Sequence, residues 1–283
     1  MRISVVVPVR NEEENIDPLI AEIHGALEGR VEFEVIYVDD GSEDGTRERL
    51  EAARKRYPRL RTLRHRRSCG QSAAIRTGVR AAESDLVVTL DGDGQNDPAD
   101  IPKLLSAWSD SEKGERDAGR RFVAGVRQGR RDRWLKRISS RFANAACRSL
   151  LRDETRDIGC GFRLFPVELF RDLPQFDHMH RFLPVLARRA GARVIAVEVS
   201  HRPRRSGRSN YGVHDRLWVG IVDLLGVAWL QRRASIPEIE CQGAANVSAA
   251  RQAAPTQVER LRSREESGAT RSGGAFPPKF ESS

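Results

Sequence analysis

The sequence predicts an α/β sandwich with a mainly parallel sheet. Strand-like and helix-like segments alternate four times within about the first hundred residues, which is typical of a parallel sheet with helices on both faces. The strand segments are continuous apolar runs, as expected when both faces of a strand are covered. Ligands of such sheets bind at the carboxyl ends of the strands, so the residues that follow each strand are the candidates for a site.

The first part of the chain contains four predicted strands and three predicted helices. The first strand is ISVVVPV, and the helix after it is EENIDPLIAEIHGAL, whose apolar residues recur at helical spacing. The second pair is FEVIYVDD and EDGTRERLEAARKRY, with Asp44 and Thr46 as candidate helix caps. The third pair is LRTLRH and QSAAIRTGVRAA, and the fourth strand is DLVVTLD.

The pattern is looser after residue 110. Strands are predicted for RFVAGVR and RVIAVEVS, and a strand or loop interrupted by glycine for IGCGFRLFP. Helices are predicted for WLKRISSRFANAACRSLL, RFLPVLARRA and HDRLWVGIVDLLGVAWLQRR. Residues 234–283 show little periodicity and predict a disordered tail. The chain is therefore expected to divide into a globular domain over 1–212, an apolar helix over 213–233 and the tail.

Charge and cysteine content limit the classes of partner. The formal net charge is +9, and residues 120–152 hold eleven basic residues against one acidic residue. Such patches favour nucleic acid, phosphorylated small molecules or an anionic membrane face. The basic clusters lack interleaved aromatic platforms, so no nucleic-acid partner is expected. The four cysteines form no C-x-x-C pair, which argues against structural zinc and for reduced thiols.

Three predicted strands end in polar residues, at 8–12, 39–42 and 91–95. Asp91 and Asp93 are spaced i, i+2, so in an extended chain their side chains point the same way. Paired carboxylates suit Mg²⁺, Mn²⁺ or Ca²⁺, and the alternative is a solvated turn. An EF-hand loop is excluded, because Asn96 stands where glycine is required and Pro102 where glutamate is required.

Seven motifs follow one another along residues 1–233: VVPVRNEEENI, VDDGSEDGT, CGQSAAIRTGV, TLDGDGQNDPADI, GVRQGRRD, DIGCGFRLF and HRPRRSGRSNYG. Together they resemble the inverting glycosyltransferases of family 2, most closely the polyprenyl-phosphate branch typified by dolichol-phosphate mannose synthase. The resemblance implies a GT-A fold, a Rossmann-like αβα sandwich. It also implies transfer of a hexose, with mannose favoured and glucose second, from a nucleotide-sugar to a polyprenyl phosphate such as dolichyl or undecaprenyl phosphate.

Three alternatives stay open beside this reading. One is a family 2 enzyme that acts on a polysaccharide or another hydroxyl acceptor. The others are a transferase fold without activity and, more remotely, a non-catalytic nucleic-acid-binding module.

The resemblance also implies roles for individual residues. The nucleotide-sugar would be bound by Pro8, Arg10, Glu12, Asp39, Asp40, Gly70, Asp91 and Gly92. The metal, Mg²⁺ or Mn²⁺, would be held by Asp91, Asp93 and Gln95. Catalytic roles fall to Asp157, Arg127, Arg131 and Arg204, and the acceptor phosphate would meet Arg202, Arg205 and Ser209. The alternative for any one of these arginines is a solvated basic face or contact with anionic lipid headgroups.

Two positions in this pattern need separate treatment. Asn210 stands where the family usually has lysine, which removes one phosphate-binding charge, and Arg208 is a candidate replacement. Asp157 stands where inverting members carry a candidate base. A phosphate acceptor is already anionic, with a second pKa of about 6, so an orienting role for Asp157 is favoured over proton removal.

A polyprenyl acceptor requires contact with a bilayer. The chain contains no run of about 18 apolar residues, and its first residues are too quickly polar for a signal peptide. The helices that contain Trp134 and the pair Trp218 and Trp229 have apolar faces flanked by arginine, as interfacial helices do. We therefore expect peripheral attachment to the cytoplasmic face of the membrane, with core packing or a homo-oligomer interface as the alternatives.

Overall fold

The computed structural model describes residues 1–112, 121–127, 159–204 and 213–233. The strands are β1 (Arg2–Val9), β2 (Glu32–Asp39), β3 (Leu60–Arg64), β4 (Leu86–Thr89), β5 (Arg121–Arg127), β6 (Arg163–Pro166) and β7 (Arg193–Val199). The helices are α1 (Glu13–Leu27), α2 (Thr46–Arg56), α3 (Gln71–Ala81), α4 (Ile101–Glu112), α5 (Val167–Asp172), α6 (Leu183–Arg189) and α7 (Val213–Arg232). Short 3₁₀ turns cover Pro98–Asp100 and Met179–Arg181.

The strands form one sheet in the order β3-β2-β1-β4-β6-β5-β7. The pairs β1–β2, β1–β4, β2–β3 and β5–β7 are parallel, and β6 runs antiparallel to both β4 and β5. The prediction of a mainly parallel sheet is confirmed, and the strand interrupted by glycine is the antiparallel one.

The strand register places three carboxyl ends at one edge of the sheet. Val9 pairs with Asp39, so β1 and β2 end level with each other. Val6 pairs with Thr89, which brings the residues after β4 beside Pro8 and Val9. This edge is where the sequence predicts a site.

The core has two layers, one on each face of the sheet. Along β1, Val5 and Val7 pack on the side of α1 and α4, whereas Val6 packs on the side of α3. This alternation follows from the two-residue period of a strand. The helical spacing read from the first helix is confirmed, because its apolar residues are all buried: Ile16, Leu19, Ile20, Ile23 and Leu27. Each such side chain contributes about 1.5–3 kcal/mol on burial.

Helix α7 packs on the domain along one side only. Val227 and Ala228 are buried, and the Nε of Arg189 in α6 donates to the carbonyl of Leu230 at 2.9 Å. Val222, Leu225 and Trp229 remain about 60 % exposed. Among the described helices none is long and apolar enough to cross a bilayer.

Several predictions fall on residues that the structure does not describe. The predicted helix WLKRISSRFANAACRSLL and the tail at 234–283 lie outside the described residues. The division at residues 212 and 233 stays a prediction. Cys69 and Cys160 have free thiols, as expected for these two positions.

Candidate functional site

The first two strand ends are bound to each other by hydrogen bonds. The N–H of Asp40 donates to the carbonyl of Val9 at 2.9 Å. The N–H of Glu12 donates to the hydroxyl of Thr46 at 2.9 Å. Of the two candidate caps of α2, Asp44 accepts the N–H of Thr46 at 3.1 Å, whereas Thr46 is the first residue of the helix and serves the strand end instead.

The third strand end packs directly on the first. A Cβ built on Gly92 would overlap the side chain of Val9 and crowd the carbonyl of Pro8. Only glycine therefore allows the turn at 91–95 to lie this close to β1. The predicted meeting of residues 8–12, 39–42 and 91–95 at one edge is confirmed.

Asp91 occupies a tight and electrostatically strained position at this edge. Its Oδ1 accepts the amide Nε2 of Gln71 at 2.8 Å, and its N–H donates to Oδ1 of Asn96 at 3.0 Å. A Cβ on Gly161 would overlap both carboxylate oxygens of Asp91, so the main chain at 161 forms a wall of the site.

The charge of Asp91 is only partly compensated by the protein. Burial and then the like charge of Asp93 raise the pKa of Asp91 to about 6. The positive charges of Arg163 and Arg127 and the bond from Gln71 act in the opposite direction and are outweighed. The ionised form of Asp91 is therefore destabilised, because the positive charge around it does not fully compensate its negative charge.

The residues of this turn fit a divalent cation. Two carboxylates at one strand end, one of them raised in pKa by burial and repulsion, form the hard oxygen set that Mg²⁺ and Mn²⁺ prefer. Asp93 Oδ1 also accepts the N–H of Gln95 at 3.1 Å, which folds the turn back on itself. The carbonyl of Gln95 accepts the N–H of Arg202 at 2.9 Å, and the side chain of Gln95 as a metal ligand stays a prediction.

Asp40 lies at the same edge and is fully hydrogen bonded. Its oxygens accept from four donors in the loop between β3 and α3, at 2.7–2.8 Å: His65 Nδ1, Ser68 Oγ, Cys69 N and Gly70 N. Burial raises the pKa of Asp40, but these bonds outweigh it and the pKa is lowered. Asp40 therefore anchors residues 65–70, and its contact with a nucleobase stays a prediction.

Asp39 supports the turn that follows β2, as expected. Its Oδ1 accepts the N–H of Ser42 at 2.8 Å, and its Oδ2 lies 3.4 Å from Nε of Arg64.

The predicted phosphate-binding arginines differ in their surroundings. Arg202 forms ion pairs with Glu22, at 2.9 Å, and with Asp97. Arg204 forms an ion pair with Glu12. Arg10 has a buried Nε that has no hydrogen-bond partner among the described residues. Arg10 thus has a buried donor without a partner among the described residues, whereas Arg202 and Arg204 already meet carboxylates.

The segment at 200–204 is fastened to the turn at 95–100. Asn96 and His201 form an isolated antiparallel bridge, and the N–H of Ser200 donates to Oδ2 of Asp100 at 2.5 Å. Together with the ion pair between Arg202 and Asp97, these contacts join the last described residues before 205 to the carboxylate turn.

The structure adds residues that sequence reasoning did not single out. Gln71 and Arg163 act on Asp91, and both lie inside motifs already quoted, CGQSAAIRTGV and DIGCGFRLF. Ser72 meets His180 at 2.8 Å across 108 residues of sequence. The stretch HMHRFLP contains two histidines, which are candidate ligand-binding residues. No local sequence pattern relates them to this edge of the sheet.

Other predicted site residues lie outside the described residues: Asp157, Arg131, Arg205 and Ser209. Arg208 and Asn210 also lie there. Arg127 ends β5 and is partly buried, within electrostatic range of Asp91.

Two relatives among curated proteins share about a third of their residues with the chain. Dodecaprenyl-phosphate galacturonate synthase of Rhizobium johnstonii is 34% identical over 245 residues, which cover 84% of this chain and 69% of that protein. Undecaprenyl-phosphate 4-deoxy-4-formamido-L-arabinose transferase of Edwardsiella ictaluri is 33% identical over 213 residues, which cover 75% of this chain and 63% of that protein. The chain thus spans about two thirds of the length of these relatives.

The fold and the family are both matched. Glucosyl-3-phosphoglycerate synthase from Mycobacterium tuberculosis, solved with Mn²⁺, uridine diphosphate and phosphoglyceric acid, superposes with a TM-score of 0.60 at 25% identity, covering 84% of this chain and 80% of that one. This likeness confirms the predicted GT-A sandwich. The family model described as "Glycosyl transferase family 2" matches residues 4–174, more than half of the sequence. The chain therefore belongs to glycosyl transferase family 2.

Proposed function

We propose that this protein transfers a sugar from a nucleotide-sugar to the phosphate of a polyprenyl phosphate. The observation that carries the proposal is the pair Asp91 and Asp93 at the shared carboxyl edge, where Asp91 is held with its charge only partly compensated. The names of the two relatives support the acceptor class, since both contain a polyprenyl phosphate.

The identity of the transferred sugar is less constrained than the class of acceptor. Mannose and glucose stay the predicted sugars, whereas the two relatives are named for galacturonate and a formamido-arabinose. All of these donors therefore belong in the first assay.

The donor would lie across the ends of β1, β2 and β4. Asp91, Asp93 and Gln95 would hold Mg²⁺ or Mn²⁺, which supplies Lewis-acid stabilisation of the leaving diphosphate when bound. Arg10 supports an anionic ligand at the end of β1, because a buried guanidinium N–H without a partner is costly unless a ligand accepts it. Gly70 and the loop held by Asp40 would border the nucleotide.

The acceptor needs positioning more than it needs a base. A phosphate oxygen attacks the anomeric carbon, the bond from that carbon to the diphosphate breaks, and the electron pair leaves with the nucleoside diphosphate. Because the attacking oxygen is already anionic, no proton must be removed, and in-line displacement inverts the anomeric carbon. Arg163 and Arg127 both act electrostatically on Asp91, and of these two Arg127 is the arginine that the sequence predicts to stabilise this charge. Arg204 could bind a phosphate only after its ion pair with Glu12 breaks.

Helix α7 is the proposed membrane contact. Val222, Leu225 and Trp229 are spaced i, i+3 and i+7 on its exposed side, and the exposed Arg232 and Arg233 follow them. Apolar side chains with a tryptophan and terminal arginines suit the headgroup region of an anionic leaflet. Attachment would be peripheral and on the cytoplasmic face, and a dimer interface is the competing use of the same side.

The membrane contact is tested by sedimentation with vesicles that contain anionic lipid. Replacing Leu225 and Trp229 by serine should reduce vesicle binding about 100-fold or more, because full burial of each such side chain is worth about 1.5–3 kcal/mol. Leu224→Ser would be a poor control, since Leu224 packs against the core. Unchanged vesicle binding with a shift from dimer to monomer would assign this side to oligomerisation.

Transfer itself is tested with purified protein, Mn²⁺ and a short polyprenyl phosphate. Labelled UDP-galacturonate, UDP-4-deoxy-4-formamido-L-arabinose, GDP-mannose and UDP-glucose are supplied separately, and label is followed into the organic phase. Transfer from one donor, lost with chelator and in Asp93→Asn but retained in the exposed control Asp172→Asn, is the expected result. Nucleotide-sugar binding without transfer to any polyprenyl phosphate would contradict the proposed acceptor.

Transfer to a hydroxyl acceptor is the second candidate, and Asp157 separates the two. A hydroxyl acceptor needs a base, so Asp157→Ala should abolish that reaction. The same substitution should leave transfer to a lipid phosphate partly active.

A further inference from the structure

A serine and a histidine from distant parts of the chain are paired at the wall of the site. Ser72 lies in the first turn of α3, beside Gln71, which donates to Asp91. The Oγ of Ser72 lies 2.8 Å from Nδ1 of His180, and the main-chain N–H of His180 donates to the same Oγ at 3.1 Å. The two contacts hold both the turn at Met179–Arg181 and the plane of the imidazole ring.

These contacts are compatible with a ring proton on Nε2. Ser72 Oγ already accepts the N–H of His180, and Nδ1 is the one further partner recorded for this hydroxyl within the described residues. If the hydroxyl hydrogen is donated to Nδ1, both groups are satisfied and the ring hydrogen lies on Nε2, and this is the arrangement that the proposal below uses. Burial lowers the pKa of His180 to about 3, with Arg163, Arg181 and His178 adding to the effect, so the ring is neutral at physiological pH.

The free nitrogen of His180 is available to a ligand. Nε2 has no hydrogen bond to any of the described residues, and it is absent from their buried atoms that lack a partner, so it meets solvent. Arg163 is close enough to influence both His180 and Asp91 electrostatically. A neutral donor beside a buried arginine favours an anionic acceptor over a neutral hydroxyl.

We propose that His180 is a phosphate-binding residue whose Nε2–H donates to a substrate phosphate oxygen, and that Ser72 is the positioning residue that orients the ring. The inference rests on the proposed function, since it needs a phosphate at this edge. That phosphate belongs either to the nucleotide diphosphate or to the polyprenyl phosphate. Both present the same anionic oxygen, and the measurements below distinguish them.

Two substitutions at one position separate ligand binding from a structural role. His180→Asn places an amide oxygen near the position of Nδ1, so it keeps the contact with Ser72 and loses the Nε2 donor. His180→Gln places an amide N–H near the position of Nε2, so it keeps the donor and loses the contact with Ser72. A ligand-binding role predicts that His180→Asn is the more impaired in substrate binding, whereas a structural role predicts that His180→Gln is.

The readouts are nucleotide affinity by calorimetry with Mn²⁺, using UDP and GDP in turn, and the KM values for the nucleotide-sugar and the polyprenyl phosphate. A hydrogen bond to a charged group implies a loss of about 10- to 100-fold in His180→Asn. Weaker nucleotide affinity assigns the bond to the diphosphate. Unchanged nucleotide affinity with a raised KM for the polyprenyl phosphate assigns it to the acceptor. Ser72→Ala should show a smaller loss in the same parameter, because the ring remains but is no longer oriented.

The inference is overturned if His180→Asn keeps both nucleotide affinity and both KM values within twofold of the wild type. It is also overturned if only His180→Gln loses substrate binding and thermal unfolding shows that this variant is destabilised. His180→Asn retains the Ser72 contact, so its folding is the more secure of the two. Wild-type protein that binds no nucleotide and transfers no sugar would instead refute the proposed function, which is a separate result.

Discussion

Two carboxylates at the same sheet edge, the buried Asp40 after β2 and the partly buried Asp91 after β4, have opposite electrostatic surroundings. Asp40 accepts four hydrogen bonds from one loop, and its pKa is lowered. Asp91 accepts one bond from Gln71, faces the like charge of Asp93, and has a pKa of about 6. A carboxylate whose donors are all supplied by the chain stabilises the fold, whereas one left short of positive charge is arranged for something that the chain does not supply.

The sharpest way to break this comparison is the same substitution at both positions. Asp91→Asn should lower sugar transfer by about 100- to 1,000-fold, equivalent to about 3–4 kcal/mol, because the diphosphate loses a charge-stabilising partner. In the absence of metal the variant should unfold at the same temperature as the wild type or a higher one, since a buried repulsion is removed. Thermal unfolding with and without Mn²⁺ checks this, and Mn²⁺ should stabilise only the wild type.

A large loss of stability in metal-free Asp91→Asn would contradict the comparison. It would mean that Asp91 holds the turn together, as Asp40 holds its loop.

Asp40→Asn should have the opposite outcome. An amide nitrogen would replace Oδ2 and face two donors, Ser68 Oγ and the N–H of Gly70. Unpaired buried donors next to a lost charge cost about 2–3 kcal/mol, measured as the free energy of unfolding in urea. At pH 7 the full effect is present, because a carboxylate with a lowered pKa stabilises above its ordinary pKa and loses this as the pH falls.

Stability equal to that of the wild type in Asp40→Asn would show that the loop at 65–70 is held by other contacts. The exposed Asp172→Asn serves as the matched control for the removal of one negative charge.

The two carboxylates also show how much of the site can be predicted from the local sequence. The continuous apolar runs predict six of the seven described strands and leave the seventh, in IGCGFRLFP, open between a strand and a loop, and they predict the edge at which Asp40 and Asp91 meet. Gly92 and Asp93 could be named as candidate site residues from the motif around them. The sequence could not predict that Asp40 is saturated by residues 65–70, because hydrogen-bond partners depend on how a loop closes and not on the spacing of apolar residues.

Long-range pairs were the least predictable part of the site. Arg202 was predicted to bind phosphate, yet it pairs with Glu22 across 180 residues of sequence. Ser72 and His180 carry no shared pattern, since each lies in an ordinary helical or turn segment. Such contacts arise from the order of strands in the sheet, in which β6 inserts between β4 and β5 and brings the C-terminal segments to the edge.

The pH dependence of stability provides the finest test of the comparison. The folded-state pKa of Asp91, about 6, lies above its ordinary value of 3.8, so the native state holds this proton more tightly than the unfolded chain. The stability linked to that proton is complete below about pH 4 and is lost as the pH rises through 6. Asparagine has no proton to lose, so Asp91→Asn should exceed the wild type most above pH 6, by about 1–2 kcal/mol given the partial exposure of this carboxylate.

The advantage of the variant should shrink towards zero as the pH falls to 4. His180, whose pKa is lowered to about 3, loses stability over the same range in both proteins and cancels in the difference. The measurement is urea unfolding of both proteins in metal-free buffer at half-unit pH steps. A difference that does not change with pH would show that the fold does not penalise the ionised Asp91. In that case Asp91 and Asp40 would be equally well satisfied, and the buried charge would no longer be an argument for a cation at the end of β4.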